Sequence, residues 1–227
     1  MRAFAFLAAL PFLSAAAFAA DAQHPTVVEL FQSQGCSSCP PANASLIEYS
    51  RRPDILALTF AVDYWDRLGW KDTFASPQFT QRQYDYSRAL RNSGVYTPQI
   101  IVNGRADGVG DEESEMDALA RKTDRGASGP DVRIDGGEVV VGAGAAPAGG
   151  AEVWLALYDP RVIDVPVARG ENAGRTLAHK NVVRRMVLLG AWTGASERLP
   201  LPSSEGLARA VLVQGAGRGP VLAAAKG

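Results

Sequence analysis

The chain contains two cysteines, Cys36 and Cys39, and only two serines separate them. The apolar stretch 26–31 precedes this pair, and Pro40 and Pro41 follow it. Proline is tolerated in the first turn of a helix, where its missing N–H would lack a partner anyway, so a helix is predicted to begin at the cysteines. A strand that leads a C-x-x-C motif into a helix is typical of thiol–disulfide redox sites, because the helix N-terminus stabilises a thiolate.

The spacing predicts a different task for each cysteine. Cys36, which follows the small residue Gly35, is expected to be the accessible attacking thiolate, and Cys39, one turn deeper, the resolving thiol. A fixed structural disulfide is the alternative, although so short a loop removes little chain entropy. Two thiolates could also hold Cu⁺, whereas a closed zinc site needs four ligands and only His24 and His179 could add to the pair. We therefore expect neither copper nor zinc, and no other cofactor.

The first nineteen residues have the pattern of a secretion signal. Arg2 supplies a basic start, residues 4–18 are apolar apart from one serine, and Ala17 and Ala19 form a small-x-small cleavage site. We predict a signal peptide over residues 1–19 and a periplasmic or secreted protein, in a compartment where disulfides persist. The apolar segment is shorter than the ~20 residues that span a bilayer, so no membrane span is expected after cleavage.

Charge and length limit the classes of function. The 227 residues include 23 Lys and Arg against 24 Asp and Glu, a formal net charge of −1. Nucleic-acid binding calls for a basic face, so a nucleic-acid partner is not expected. After signal cleavage, about two hundred residues remain, enough for one large domain or two small ones.

Residues 20–126 alternate between strand and helix patterns. Strands are predicted at 27–31, 54–62 and 99–102, and helices at 40–49, 76–92 and 111–122. Asn103 and Gly104 predict a type I′ hairpin turn after the third strand. This half of the chain is therefore expected to be an α/β domain.

Residues 131–227 follow a linker predicted at 127–130 and show a pattern of short strands without helices. Short strands bounded by Gly or Pro are predicted at 132–135, 138–141, 152–158, 162–167, 181–189, 207–213 and 220–223. This half is expected to be a small antiparallel β domain, sandwich- or barrel-like. Its loop 169–175 is polar and punctuated by glycines, so it could contact an anionic or protein partner or simply connect two strands.

The order of elements in residues 20–126, with the C-x-x-C and the segment Tyr96–Gly104, resembles the thioredoxin superfamily. In that superfamily a cis-proline faces the redox pair, and the residue before it offers its backbone to an extended substrate. The resemblance implies these features for Pro98 and Thr97. The chain is also similar to a bacterial family of exported thioredoxin-like proteins that is known only as a domain of unknown function.

The residues around the cysteines depart from thioredoxin itself. Gly35 stands where thioredoxin has tryptophan, and Ser37 and Ser38 replace its Gly-Pro pair. These positions tune the redox potential across the superfamily, so the direction of electron flow does not follow from the motif. No histidine is near the cysteines in sequence, which favours a mild couple, at about −180 to −270 mV.

Aromatic residues follow the second predicted strand, in the segment 63–72. Ligands of open α/β sheets bind beyond the carboxyl ends of strands, so Tyr64, Trp65 and Trp70 are predicted to wall a groove beside the cysteines, unless they only pack the loop onto the core. The sequence therefore predicts an exported thiol–disulfide oxidoreductase that exchanges disulfides with other exported proteins and is served by a separate redox partner. The alternative is a thioredoxin-like binding or adaptor protein, with a structural disulfide or a two-thiolate copper site.

Overall fold

The computed structural model describes residues 20–126 and 129–227 of the chain. The predicted signal peptide at 1–19, and two residues of the predicted linker, lie outside the described residues. None of the helices in the described ranges combines the length and the apolar character needed to cross a membrane.

Seven elements of the first half follow the predicted alternation of strands and helices. They are β1 (Thr26–Gln32), α1 (Cys39–Tyr49), β2 (Ile55–Ala61), α2 (Pro77–Ala89), β3 (Gln99–Val102), β4 (Ala106–Gly108) and α3 (Glu113–Lys122). Prolines stand in the first turns of α1 and α2, and Ser76 caps α2 by accepting a hydrogen bond from the Gln78 N–H at 3.2 Å. Asn103 and Gly104, between β3 and β4, both have positive φ, as the hairpin turn requires.

Strands make up the regular structure described in the second half. They are β5 (Val132–Asp135), β6 (Glu138–Val141), β7 (Ala151–Asp159), β8 (Ile163–Pro166), β9 (Thr176–His179), β10 (Val182–Trp192), β11 (Glu197–Pro200), β12 (Ala208–Gly215) and β13 (Val221–Lys226). The predictions missed two of them, β9 and β11. Both are four-residue strands with exposed positions, so they carry little of the hydrophobic pattern that marks a strand.

One mixed sheet of eight strands runs through the described part of the chain, in the order β13-β12-β7-β10-β2-β1-β3-β4. Within it, β1 is parallel to β2 and antiparallel to β3, whereas β7 is antiparallel to β10 and β12. Two small antiparallel sheets, β11-β6-β5 and β8-β9, complete the structure. The chain is therefore a mixed α/β protein with additional small antiparallel sheets.

The two faces of the sheet enter different hydrophobic cores. Alternation along β1 directs Val27 into one core and Val28 into the other. Leu46 of α1 and Met116 of α3 cover the Val28 face, while Phe79 of α2 covers the Val27 face. A third core lies between the C-terminal strands and the three-stranded sheet.

Four strands of the second half, β7, β10, β12 and β13, extend the sheet of the first half, and the sandwich or barrel predicted for residues 131–227 stays a prediction. β10 lies parallel to β2, and Thr59 of β2 bonds to the segment just before β10. The Thr59 N–H donates to the Asn181 carbonyl at 2.9 Å, and its Oγ1 donates to the Lys180 carbonyl at 2.7 Å. The core on the Val27 face contains residues of both halves. Strand patterns show that a segment is extended, but they do not show which strand it pairs with. Independent folding of the two predicted domains stays a prediction.

Candidate functional site

The cysteine turn, defined here as residues 33–39, links the end of β1 to the start of α1. Cys36 and Cys39 form a disulfide with their Cα atoms 5.5 Å apart. The Cys36 N–H donates to the Ser33 carbonyl at 3.1 Å, and the Cys39 N–H donates to the Cys36 carbonyl at 3.2 Å. Cys39 is the first residue of α1, so Cys36 lies just before the helix N-terminus, where the proline positions predict it.

The burial of Cys36 contradicts the expectation that it is accessible. Its side chain is 0% exposed, although the two serines that follow it are exposed. The small Gly35 opens no path to the sulfur, because Trp65 lies against it: a Cβ on Gly35 would meet the Trp65 Cβ at 3.4 Å. Exposure of this sulfur therefore depends on elements that are remote in sequence.

The Thr97–Pro98 segment lies beside the cysteine turn. Its peptide bond is cis, which confirms the prediction, and Pro98 is buried. The Ser38 hydroxyl connects the two segments, since it lies 3.3 Å from Cys36 Sγ and donates to the Thr97 carbonyl at 3.4 Å. The main chain of Thr97 is thereby placed next to the disulfide.

Two of the three predicted groove residues, Tyr64 and Trp65, lie near the Thr97–Pro98 segment. The Trp65 Nε1–H donates to Thr97 Oγ1 at 2.8 Å, so its indole connects the cysteine turn with the cis-proline segment. Both rings pack against the core on the Val27 face. Burial raises the pKa of Tyr64 to about 12. Trp65 therefore belongs to the candidate site through its bond with Thr97, and Tyr64 packs on the same core.

A buried carboxyl group and a second indole hold the start of the cysteine turn. The Gln34 N–H donates to Asp72 Oδ2 at 2.7 Å, and the Trp70 Nε1–H donates to Gln34 Oε1 at 2.9 Å. Asp72 is 2% exposed, and this burial raises its pKa to about 6, although amide donors such as the Phe74 N–H act in the opposite direction. The sequence points to the segment 63–72 but does not single out Asp72.

A loop from the second half of the chain completes the site. It joins β8 to β9, spans residues 167–175 and is called the β8–β9 loop below. Glu171 Oε2 accepts a hydrogen bond from the Ser37 N–H at 3.0 Å, and Asn172 Nδ2 donates to the Cys36 carbonyl at 2.8 Å. Sequence reasoning recognises the loop as polar but misses its contact with the cysteines. The polar residues between glycines are the one signal that sequence provides.

His179, on β9, is buried against the helix that carries Cys39. Its Nδ1 lies 3.4 Å from Asn43 Nδ2 of α1, and its ring meets the Phe74 ring edge-on at 5.6 Å between centroids. Burial lowers its pKa to about 4, so the imidazole is neutral at neutral pH. Its Nε2 has no hydrogen-bond partner within the described residues. His179 is thus a core neighbour of α1.

The residues weighed as additional zinc ligands do not join the cysteines in a cluster. His24 is hydrogen bonded to Asp21 near the start of the described chain, with Nδ1 and Oδ1 3.2 Å apart. Across residues 20–126 and 129–227, no group of three or more His, Cys, Asp or Glu side chains is arranged to hold a metal ion.

The chain resembles a sequence family and solved structures over most of its length. The family described as "Protein of unknown function (DUF1223)" matches residues 27–214. A crystal structure of a protein from Agrobacterium tumefaciens is similar at a TM-score of 0.73 and 34% identity, over 88% of this chain and 92% of that chain. HBP35 of Porphyromonas gingivalis has a TM-score of 0.61 at 12% identity, over 90% of this chain and 75% of that chain, a likeness of fold alone. No curated protein matches the sequence.

Proposed function

The chain belongs to this DUF1223 family, and we propose that it is an exported thiol–disulfide oxidoreductase that uses Cys36 and Cys39. One observation carries the proposal: the disulfide stands at the N-terminus of α1, beside the cis Thr97–Pro98 bond. The helix terminus favours a thiolate on the leading cysteine, and the neighbouring Thr97 backbone can receive an extended peptide.

A thioredoxin-like fold for residues 20–126 is part of the proposal. It is supported by the strand order, in which β1 lies between the parallel β2 and the antiparallel β3, and by the position of the cysteine turn between β1 and α1. The cis-proline directly before β3 adds to this support. Export by a signal peptide at residues 1–19 into the periplasm or the medium fits the use of a disulfide.

The proposed exchange is a two-electron transfer. In the reduced protein, the Cys36 thiolate attacks a substrate disulfide, forms a mixed disulfide and releases one substrate thiolate, which takes up a proton. The Cys39 thiolate then attacks the Cys36 sulfur, which restores the Cys36–Cys39 disulfide and releases the second substrate thiol. A dithiol partner protein returns two electrons and two protons to the pair. The same steps in reverse oxidise a substrate dithiol.

The two cysteines have different neighbours in the proposed site. Cys39 is the first residue of α1, and both cysteines are 0% exposed. Trp65 and the Thr97 main chain lie on the Cys36 side and form the proposed docking position for exported protein thiols or disulfides. These contacts support attack by Cys36 and resolution by Cys39.

A second candidate function rests on the burial of the disulfide. Because Cys36 is 0% exposed, the pair could be a permanent clip in a binding or adaptor protein. Structural disulfides have reduction potentials below about −300 mV, whereas exchanging ones lie higher. Equilibration of the mature protein with dithiothreitol and glutathione buffers separates the two. We expect a reduction potential at least about 30 mV above −300 mV, in the range of exchanging disulfides. A potential below about −300 mV would support the clip.

Reaction with Ellman's reagent tests the assignment of the two cysteines. The reduced wild-type protein should release two equivalents of thionitrobenzoate and end as the internal disulfide, since Cys39 resolves the mixed disulfide formed at Cys36. Cys39→Ala should release one equivalent and retain the adduct, detectable by mass spectrometry. Cys36→Ala is the matched control and should react much more slowly. Equal reaction of the two single variants would contradict the assignment.

A further inference from the structure

The β8–β9 loop is folded by its own backbone before it reaches the cysteine turn. The Val167 N–H donates to the Arg175 carbonyl at 2.9 Å, and the Gly174 N–H donates to the Val167 carbonyl at 2.8 Å. Gly170 lies over Trp70, because a Cβ on Gly170 would meet the Trp70 Cβ at 3.4 Å. The loop therefore closes the β8–β9 hairpin and rests on Trp70, in the segment 63–72.

Asn172 attaches this loop to the cysteine turn. Its Nδ2 donates to two carbonyls, those of Cys36 at 2.8 Å and Gln34 at 3.0 Å, and its Oδ1 accepts from Arg175 Nη1 at 2.8 Å. Asn172 is 0% exposed although its neighbours in the loop are exposed. The two bonds from Nδ2 attach the loop to the turn, because both would be lost if the loop moved away, whereas the bond with Arg175 lies within the loop.

Glu171 places a negative charge at the same turn. Its carboxylate accepts from the N–H of Ser37, the residue directly after Cys36 and one residue before the N-cap of α1. The bond with Ser37 lowers the pKa of Glu171, which therefore is ionised at neutral pH. A thiolate at Cys36 would need the same backbone N–H donors at the start of α1, and the Glu171 carboxylate would repel it.

We propose that Asn172 and Glu171 are positioning residues that restrain Cys36: Asn172 holds the loop on the backbone of the cysteine turn, and Glu171 disfavours the thiolate. The inference rests on the proposed exchange at this disulfide and describes how that exchange is regulated. Access to Cys36 then requires the loop to leave the turn, so only substrates that displace residues 171 and 172 react. The second half of the chain thereby determines which substrates the site accepts.

Other charged groups surround the cysteine turn and must be held constant in a test. Asp72 accepts from the Gln34 N–H, and Asp66 in turn accepts from the Asp72 N–H at 3.1 Å. Arg175 is bound to Asn172. Variants of Glu171 and Asn172 leave the two aspartates in place, whereas the loss of Asn172 also releases Arg175.

Alkylation of Cys36 by iodoacetamide is the test, in a Cys39→Ala background where Cys36 is the one remaining thiol. A rate profile against pH gives the thiol pKa from its midpoint and the accessibility of the thiolate from its plateau. Glu171→Gln should lower the pKa and raise the rate at neutral pH about two- to fivefold with no change in the plateau, as for an exposed charge pair. Asn172→Ala should raise the plateau about tenfold, since two hydrogen bonds that close the loop are lost.

Glu48→Gln is the matched control, because Glu48 is an exposed carboxylate near the other end of the same helix, paired with Arg51. It should reproduce the profile of the parent. A Glu171→Gln profile equal to that of Glu48→Gln would overturn the electrostatic part, and an unchanged plateau in folded Asn172→Ala would overturn the restraint by the loop. The surface variant Glu171→Gln keeps the test decisive if Asn172→Ala fails to fold. The alkylation rate does not depend on turnover, so a wild-type potential below about −300 mV would remove the proposed function alone.

Discussion

Two polar clusters connect the first half of the chain to the second, and they handle charge in opposite ways. The cysteine site joins Cys36 to Asn172 mainly through backbone carbonyls and amides. The second cluster, called the Glu29 network below, joins Glu29 of β1 and Arg82 of α2 to Gln214 of β12. It consists of charged and amide side chains that are almost completely buried.

The Glu29 network pairs its charges. Arg82 Nε donates to Glu29 Oε2 at 2.6 Å and Arg82 Nη2 to Glu29 Oε1 at 2.9 Å, while the Tyr86 hydroxyl donates to Glu29 as well. Gln214 Nε2 donates to the Tyr86 hydroxyl at 2.9 Å. Burial alone would lower the pKa of Arg82, but the adjacent carboxylate outweighs it and the pKa is raised. Arg82 therefore stays charged in the core.

Two buried ionisable groups near the cysteine turn, Asp72 and His179, have no ion-pair partner among residues 20–126 and 129–227. Burial raises the pKa of Asp72 to about 6 and lowers that of His179 to about 4, so both are shifted toward their neutral forms. The difference teaches that burial alone does not mark a functional group. The Glu29 network links the two halves through paired charges, whereas Asp72 and His179 lie near the cysteine turn without such a partner among the described residues.

The largest effect is expected from breaking the Glu29 network. Arg82→Met should lower the free energy of unfolding by about 3–5 kcal/mol, because it leaves the Glu29 carboxylate buried without its partner. Urea denaturation measures this change. Arg51→Ala is the control, since Arg51 pairs with Glu48 on the exposed surface and should contribute at most about 1 kcal/mol. Equal effects of the two variants would show that the buried pair is no special link.

The pH dependence of stability should reveal Asp72. Its folded pKa of about 6 lies above the ordinary value, so between about pH 4 and 6 the folded state holds a proton that the unfolded state has released. The free energy of unfolding should therefore fall by about 1–3 kcal/mol as pH rises through this window. Asp72→Asn should lose this contribution, while Asp164→Asn, at an exposed position on β8, should keep it. Parallel pH profiles of the two variants would refute the assignment.

His179 should act with the opposite sign. Its folded pKa of about 4 lies below the ordinary value, so between about pH 6.5 and 4 the unfolded state binds a proton that the folded state refuses. The free energy of unfolding should fall by about 1–3 kcal/mol as pH drops through this window. His179→Gln should flatten that acid limb in urea titrations. His24→Gln, in the half-exposed segment before β1, is the control and should retain it.

The smallest effect on stability is expected from the cysteines themselves. A disulfide that closes so short a loop contributes at most about 2 kcal/mol through chain entropy. The double variant Cys36→Ala/Cys39→Ala should therefore unfold at a urea concentration close to that of the wild type, yet lose all exchange with Ellman's reagent. A loss as large as that of Arg82→Met would favour the clip over the oxidoreductase.

Much of the candidate site could be predicted because its signals are local. Pro40 and Pro41 determine where α1 begins, since proline fits only the first turn of a helix. The pair Thr97 and Pro98 pointed to a cis bond beside the cysteines through the family resemblance, and the structure has it. The accessibility of Cys36 was predicted wrongly, because a small residue in front of a cysteine says nothing about what covers it.

The sequence by itself determined the elements of the first half, the helix that starts at the cysteines and the polar character of the β8–β9 loop. Tertiary structure alone decided that β10 lies beside β2, which places residues 171 and 172 on a turn more than a hundred positions earlier, with Ser37 and Glu171 separated by 134 positions. The physical reason is that periodicity and capping act over a few residues, whereas the pairing of strands depends on packing between segments that are far apart in the sequence.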